Sequence, residues 1–411
     1  MQVADILART PPLPLAIDHC SHRGITAQEK EDLLLALQHR DRVRAIRLRM
    51  RVSDLKTLIV AMGGEFPILE CLTITPPIAS TFPASLILPA AFHAPRLRRL
   101  KLSNFATQAP IMVPPSPSLA APTGLVKLSL FWNHLPTYPC PGTLLQLLSE
   151  SSVPRLEMLQ ISFDTTIFDH GFDSDLDWLH ARTMTRVTFP NLHRFTFEGD
   201  RSYLEAFLPW IQSPLLEKLH ISFFYDPMFS VPHLLSFLGT IENLEFVNIK
   251  LTVCVWYISV QVYHRRGVGG DLSLFYRDSR TFPRKMAAAA RIVNSLGTLL
   301  SSVEHLTLQC ETAFELMGLG VEHDRTQWCS LLRPFGNVKT LLVDEGWTGE
   351  MSRFLPFGRG GPPMDLLPEL KELIYCTYQD IVVDAFTKFT AARREAGRPV
   401  TLVRHQSSCG W

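Results

Sequence analysis

The sequence predicts an α/β solenoid, and three observations predict it. First, the spacing apolar-x-x-apolar-x-apolar occurs eleven times, in units starting at Val43, Leu69, Leu97, Leu125, Leu156, Leu192, Leu216, Leu244, Val303, Val338 and Leu370. Second, successive starts lie 24 to 36 residues apart, with one 59-residue gap after Leu244, a distance that holds one short strand plus a helix or turn. Third, the stretches between units carry apolar residues at three- and four-residue spacing, as a helix with one buried face does. Apolar triplets alone are common in a chain that is 46% hydrophobic, but their regular separation by helical connectors is not.

Leu15 to Asp18 reads as a first strand, introduced by Pro11, Pro12 and Pro14. Thr26-Ala27-Gln28-Glu29 then forms a capping box, whose hydroxyl and carboxylate satisfy backbone donors, and the helix runs to about His39. Further helices are expected over Ser53 to Met62, Gly142 to Ser149, Ser202 to Ile211, Ser230 to Gly239, Pro283 to Leu300, Asp324 to Leu332, Trp347 to Leu355 and Ile381 to Ala396. Only the unit at Leu125 carries the full leucine-rich pattern, continued by Asn133 and Leu135; elsewhere the asparagine position holds residues such as Phe105, Asp164, Asp200 or Gly346. The expected fold is therefore an irregular leucine-rich-repeat solenoid of eleven or twelve units, with a curved, mostly parallel sheet and helices on the outer face. It reads as a single domain over residues 1–411, because each repeat packs only on its neighbours. Two segments break the rhythm: the Pro- and Ser-rich residues 108–122, read as an exposed loop, and residues 250–280, where large β-formers alternate around a Gly-rich turn as in a hairpin insertion.

Forty basic and thirty-nine acidic residues leave a net charge of +1, so composition implies no general attraction to nucleic acid or membrane. Eight scattered cysteines form neither a disulfide framework nor C-x-x-C pairs, which fits reduced thiols in the cytoplasm or nucleus. No apolar run reaches the length of a membrane span, and the N-terminus lacks the charged and apolar regions of a signal peptide. His19, Cys20 and His22 have no fourth ligand at a recognisable spacing, so they read as a turn. Asp164, Asp169, Asp173, Asp175 and Asp177 lack the glycine and closing glutamate of a calcium loop and read as solvated. Gly267, Gly269 and Gly270 suit a hairpin turn, and no nucleophile elbow, Walker A loop or H-E-x-x-H occurs. No catalytic residue, cofactor or metal is expected, and the chain reads as a binding protein rather than an enzyme.

Period-two alternation places the residues between and beside the later apolar positions on the open face of the sheet. Of the twenty-four such positions in the first eight units, eight are basic, among them Arg47, Arg49, Arg99, Lys101, Lys127, Arg194 and Lys218, and one, Glu198, is acidic. The last three units place no Lys or Arg there. That gradient suits an acidic or phosphorylated protein segment, with arginine offering bidentate contacts and Phe131 and Phe246 serving as apolar anchors. The competing reading is a merely solvated face, in which Glu70, Glu157, Glu217, Glu245 and Glu304, each preceding an outward triplet, neutralise the cations. The arginine run from Arg40 to Arg51 raises polyanion or nucleic-acid binding, but only Arg47 and Arg49 fall on the face and aromatic interleaving is sparse.

Several segments carry a resemblance: TPPLPLAID at Thr10 to Asp18, LALQHRDRVRAIRLRM at Leu35 to Met50, GEFPILECL at Gly64 to Leu72, SPLLEKLHISFF at Ser213 to Phe224, EHLTL at Glu304 to Leu308, DRTQWCSLLRPFGNVKTLLVD at Asp324 to Asp344, LLPELKEL at Leu366 to Leu373 and AGRPVTLVRH at Ala396 to His405. In order and spacing they resemble the leucine-rich region of the F-box proteins of mushroom-forming fungi. That resemblance implies the target-recognition part of a ubiquitin-ligase receptor, in which an N-terminal F-box docks on a Skp-type adaptor of a cullin ligase while the repeats hold the target. The F-box would have to precede Thr10, where only nine residues stand, so adaptor and cullin are expected as partners only if an F-box is supplied. A stand-alone protein-binding scaffold is the alternative.

Overall fold

The computed structural model describes residues 13–21, 23–76, 86–104, 124–132, 139–150, 154–163, 186–224, 230–241, 246–254, 256–263, 271–277, 282–310, 325–354, 366–376 and 380–405. The loop expected at 108–122, the acidic segment at 164–177, His22, Asn133, Leu135, Leu244, Glu245 and the glycines at 267–270 lie outside the described residues. The chain divides into two compact units, Met1–Leu216 and Glu217–Trp411, each of them α/β.

In the first unit the strands are β1 (Leu15–Cys20), β2 (Val43–Arg49), β3 (Cys71–Ile74), β4 (Arg99–Ser103), β5 (Lys127–Trp132), β6 (Met158–Phe163), β7 (Val187–Thr188), β8 (Arg194–Gly199) and β9 (Ile211–Gln212). All but β7 and β9 lie side by side in chain order and pair parallel; β7 and β9 make a small parallel pair of their own. Register turns the sequence motif into two buried ladders. Leu72, Leu100, Leu128, Leu159 and Phe195 align across one row, and Ile74, Leu102, Leu130, Ile161 and Phe197 across another, every one of them buried. The first apolar residue of each unit, such as Leu97, Leu125, Leu156 and Leu192, is buried in the turn before its strand.

One hydrogen-bond device recurs where the strands begin. The carbonyl of the residue after each leading apolar position accepts two successive amides from the next repeat: Glu70 from Arg98 and Arg99, Arg98 from Val126 and Lys127, Val126 from Glu157 and Met158, and Glu157 from His193 and Arg194. The same pattern holds in the second unit at Val247, Glu304 and Lys339. Otherwise orphaned strand-start donors are thus satisfied, and the register of each repeat is fixed to the last.

Helices α1 (Ala27–Gln38), α2 (Val52–Ala61), α3 (Pro141–Glu150) and α4 (Arg201–Phe207) connect these strands. The capping box of α1 forms, with the Glu29 amide donating to the Thr26 hydroxyl at 3.2 Å and the Thr26 amide donating to the Glu29 carboxylate at 2.8 Å. Helix and sheet meet through apolar side chains: Tyr203 of α4 lies 4.6 Å from Phe163 of β6 and Phe207 lies 6.3 Å from Phe195 of β8, centroid to centroid.

The second unit holds β10 (Lys218–Phe224), β11 (Asn248–Val253), β12 (Tyr257–Tyr263), β13 (Asp271–Arg277), β14 (His305–Cys310), β15 (Thr340–Val343), β16 (Glu372–Tyr375) and β17 (Thr401–Arg404). Helices α5 (Pro232–Leu238), α6 (Phe282–Ser295), α7 (Gly297–Leu300), α8 (Arg325–Leu332), α9 (Glu345–Phe354) and α10 (Asp380–Glu395) connect them. Spatial order is β10-β13-β12-β11-β14-β15-β16-β17. β12 runs antiparallel to both β11 and β13, whereas the remaining pairs are parallel, so the 250–280 segment contributes two strands inside the sheet.

The unit assigned to Leu244 is corrected here. Ile249 aligns with Leu306 and Leu251 with Leu308, so Phe246 takes the leading position that Val303 holds, and the frame is FVNIKL rather than LEFVNI. Phe246 is accordingly 2% exposed and belongs to the core instead of the open face. The shift of two residues preserves alternation, so Asn248 and Lys250 stay on the face expected for them.

A buried arginine and a half-buried aspartate organise the end of this unit. The Arg393 guanidinium, fully buried on α10, donates to the carbonyls of Leu367 at 3.2 Å and Pro368 at 3.1 Å, in a turn where Leu367 adopts φ 51°. Asp344 accepts from the Cys310 amide at 2.6 Å and from the Trp347 amide at 3.2 Å, tying β14 to the start of α9. Beside it, a Cβ on Gly346 would stand 2.9 Å from the Cys310 carbonyl, a contact only glycine avoids. Burial pushes the Asp344 carboxyl up to about 6, outweighing the amide hydrogen bonds that favour its charged form. The folded state therefore binds more protons than the unfolded chain between the ordinary aspartate range and about 6, so stability rises as pH falls through that window and the penalty is full above it. Thermal melts of wild type and Asp344→Asn at about pH 5 and pH 7.5 isolate this group: wild type is expected to gain on the variant upon acidification, and parallel profiles would contradict the assignment.

No helix among the described residues is long and apolar enough to cross a membrane.

Candidate functional site

The open face of the first unit has one side chain per strand in each row. Along one row Ala45, Cys71, Arg99, Lys127, Met158 and Arg194 are successive partners. The next row runs Asp18, Arg47, Thr73, Lys101, Ser129, Gln160 and Thr196, and a third holds Ser103, Phe131, Ser162 and Glu198. Arg99 and Lys127 are thus direct cross-strand neighbours, about 4.8 Å apart along the sheet. Lys101 stands 4.7 Å from the centre of the Phe131 ring, a cation–π contact. Arg194 lies two strands beyond Lys127, with half-buried Met158 between them.

These residues gather around β4, β5, β6 and β8. Among the described residues, Arg99, Lys127 and Arg194 have no ion-pair partner. Arg47 and Arg49 sit apart on β2, and Arg47 is held by Asp18 at 3.3 Å. Lys218 belongs to the second unit, where Asp271 is its register partner. Phe246, being core, contributes no contact surface.

The glutamates before the outward triplets point to a different role from neutralising the face. Glu70 pairs with Arg44 at 3.0 Å and Glu304 with Lys339 at 2.5 Å, each an ion pair between residues at the same position of adjacent repeats. Each pair lies where its own strands begin, one in each unit, and neither involves Arg99, Lys127 or Arg194. The arginine run from Arg40 to Arg51 is also largely engaged: Arg40 donates to the Ala61 carbonyl, Arg42 to that of Leu13, and Arg44 and Arg47 form the ion pairs above.

Along the same edge of the first unit lies a cavity of about 520 Å³. Its walls come from the turns before β3, β4, β5, β6 and β8: Glu70, Pro95, Arg96, Arg98, Gly124, Val126, Arg155, Glu157, Asn191 and His193. Asn191 donates to the Pro154 carbonyl at 2.6 Å, which fixes two of these turns together. Arg96, Arg98 and Arg155 are exposed and have no ion-pair partner among the described residues. Sequence reasoning did not select them, because alternation assigns a face only within a strand and these residues precede it.

The second unit's open face differs. His220 lies 4.9 Å from Phe275, and Tyr257 lies 5.7 Å from the same ring, an aromatic group supplied mainly by β12 and β13. Its sequence signal is the alternation of YISVQVY and DLSLFYR, which predicts paired strands but not the approach of Phe275 to His220. Among the described residues no group of three or more His, Cys, Asp or Glu side chains could hold a metal ion, and the seven described cysteines are free thiols.

Neither a protein-family model nor a curated protein matches this chain. The face around β4, β5 and β8 presents partly exposed guanidinium and ammonium groups, without ion-pair partners among the described residues, beside the Phe131 ring.

Like charges directly opposite each other destabilise a sheet. Replacing Lys127 by Gln is expected to raise stability by a few tenths of a kcal/mol, more at low salt than at high salt. Urea midpoints at two ionic strengths measure this, and a lowered midpoint would mean that Lys127 is compensated in the folded chain.

Proposed function

We propose that the chain is a protein-recognition module whose first unit holds an acidic or phosphorylated segment of a protein target. The carrying observation is the set of cations around β4, β5, β6 and β8 that have no ion-pair partner among the described residues. Packing like charges on adjacent strands costs stability, and a bound anion removes that cost while gaining charge-assisted hydrogen bonds. Arg99, Lys101, Lys127 and Arg194 supply the electrostatic contacts and Phe131 the apolar one; Arg47 and Arg49 of the same unit have secondary roles, and Lys218, in the second unit, is not counted in this site. The regular in-register strands support the finer fold reading, a leucine-rich-repeat solenoid; the role of the target-binding part of an F-box receptor rests on the sequence resemblance alone. On that reading a Skp-type adaptor and a cullin join only when an F-box accompanies the chain, and the protein works without catalysis in the cytoplasm or nucleus.

Nucleic acid is the weaker ligand class, because most of the arginine run from Arg40 to Arg51 is committed to contacts within the protein. Affinity purification of the full chain with mass spectrometry separates the remaining alternatives. Recovery of Skp and cullin subunits supports a ligase role, and a target without them supports a stand-alone scaffold. Reversing charge at Arg99→Glu with Lys101→Glu is expected to reduce target recovery at least about tenfold. Unchanged recovery would remove this face from the account.

A further inference from the structure

The edge cavity adds a distinct chemical feature to the open face. Its cations are Arg96, Arg98 and Arg155, and its carboxylates are Glu70 and Glu157. Glu70 is already engaged by Arg44 at 3.0 Å, which leaves three guanidiniums facing the single charge of Glu157. At about 520 Å³ the cavity is of ligand-pocket size, far larger than a bare oxyanion requires. A carboxylate saturates one guanidinium fork, whereas a phosphomonoester brings close to two negative charges and three acceptor oxygens that several forks can share. Arg98 immediately precedes Arg99, so an anion seated at the edge continues directly onto the first cation of the open-face row.

We infer that this cavity is a phosphomonoester subsite, taking the phosphorylated side chain of a target segment whose flanking residues lie on the open face of the same unit. The inference rests on the proposed recognition function and names its anchoring chemistry. Arg98 and Arg155 bind the phosphoryl oxygens, Arg96 adds long-range attraction, and Glu157 opposes anions and so limits affinity for unselective ones. Asn191, through its bond to Pro154, holds the turn carrying Arg155 in place.

Calorimetric titration of the full chain with phenyl phosphate, benzoate and inorganic phosphate tests this. Phenyl phosphate is expected to bind saturably and at least about tenfold more tightly than either of the others. Arg98→Gln and Arg155→Gln should each weaken it about tenfold, and Glu157→Gln should tighten it several-fold, whereas Arg99→Gln with Lys101→Gln should change it less than about twofold. The opposite signs of these variants separate loss of a contact from loss of folding. Equal affinity for benzoate or for inorganic phosphate, indifference to Arg98→Gln and Arg155→Gln, weakening by Glu157→Gln, or no binding at millimolar ligand would each overturn the inference. If phenyl phosphate fails these tests while an unphosphorylated acidic peptide binds and Arg99→Glu abolishes that binding, the cavity inference alone has failed. If phenyl phosphate binds as expected while acidic peptides do not, the cavity stands and the face is what fails.

Discussion

The carbonyl that follows each leading apolar residue, by accepting two amides from the next repeat, fixes everything else to one register. Side chains at equivalent positions of successive repeats then become neighbours whether or not their chemistry agrees. Apolar positions gain from this, since Leu72, Leu100, Leu128, Leu159 and Phe195 bury one another in a continuous row. Charged positions obey the same geometry with mixed results. At the strand-start edge Arg44 meets Glu70 and Glu304 meets Lys339, both favourable. On the open face Asp18 meets Arg47, which is favourable, and Arg99 meets Lys127, which is not.

That contrast is the physical argument for function. A solvated surface could place either sign opposite Arg99, and this chain does pair opposite charges between neighbouring strands at Arg44–Glu70, Asp18–Arg47 and Glu304–Lys339. Retaining uncompensated cations on several neighbouring strands, with three more guanidiniums at the adjoining cavity, makes sense when an anion completes the site. The second unit handles its open face differently. There β12 and β13 bring Tyr257 and Phe275 beside His220, and Asp271 stands opposite Lys218, so electrostatic demand is lower and aromatic surface greater.

Much of the architecture was legible because each strand is written in a six-residue motif and each helix in its own periodicity. α2, α3, α8 and α10 begin and end within one or two residues of the expected bounds, and Thr26 with Glu29 caps α1 as its side chains dictate. The frame failed at Phe246 because Leu244, Val247 and Ile249 satisfy the same spacing as Phe246, Ile249 and Leu251; only pairing with β14 decides between them. Face residues such as Arg99 and Lys101 could be assigned from alternation alone. Edge residues such as Arg98 and Arg155 could not, since turns have no period. Nor could the capture of Arg42 by the Leu13 carbonyl or of Arg47 by Asp18, each 29 residues distant in the chain, be read without the fold.

Covalent footprinting of the full chain, free and bound to its recovered target, tests the central claim most directly. Lysines are acetylated, arginines are modified with phenylglyoxal, and each site is quantified by mass spectrometry. Protection is expected at Lys101, Lys127, Arg98, Arg99 and Arg155 together, with Lys56 and Lys388 reacting equally in both states. Protection elsewhere with those five residues still reactive would contradict the account.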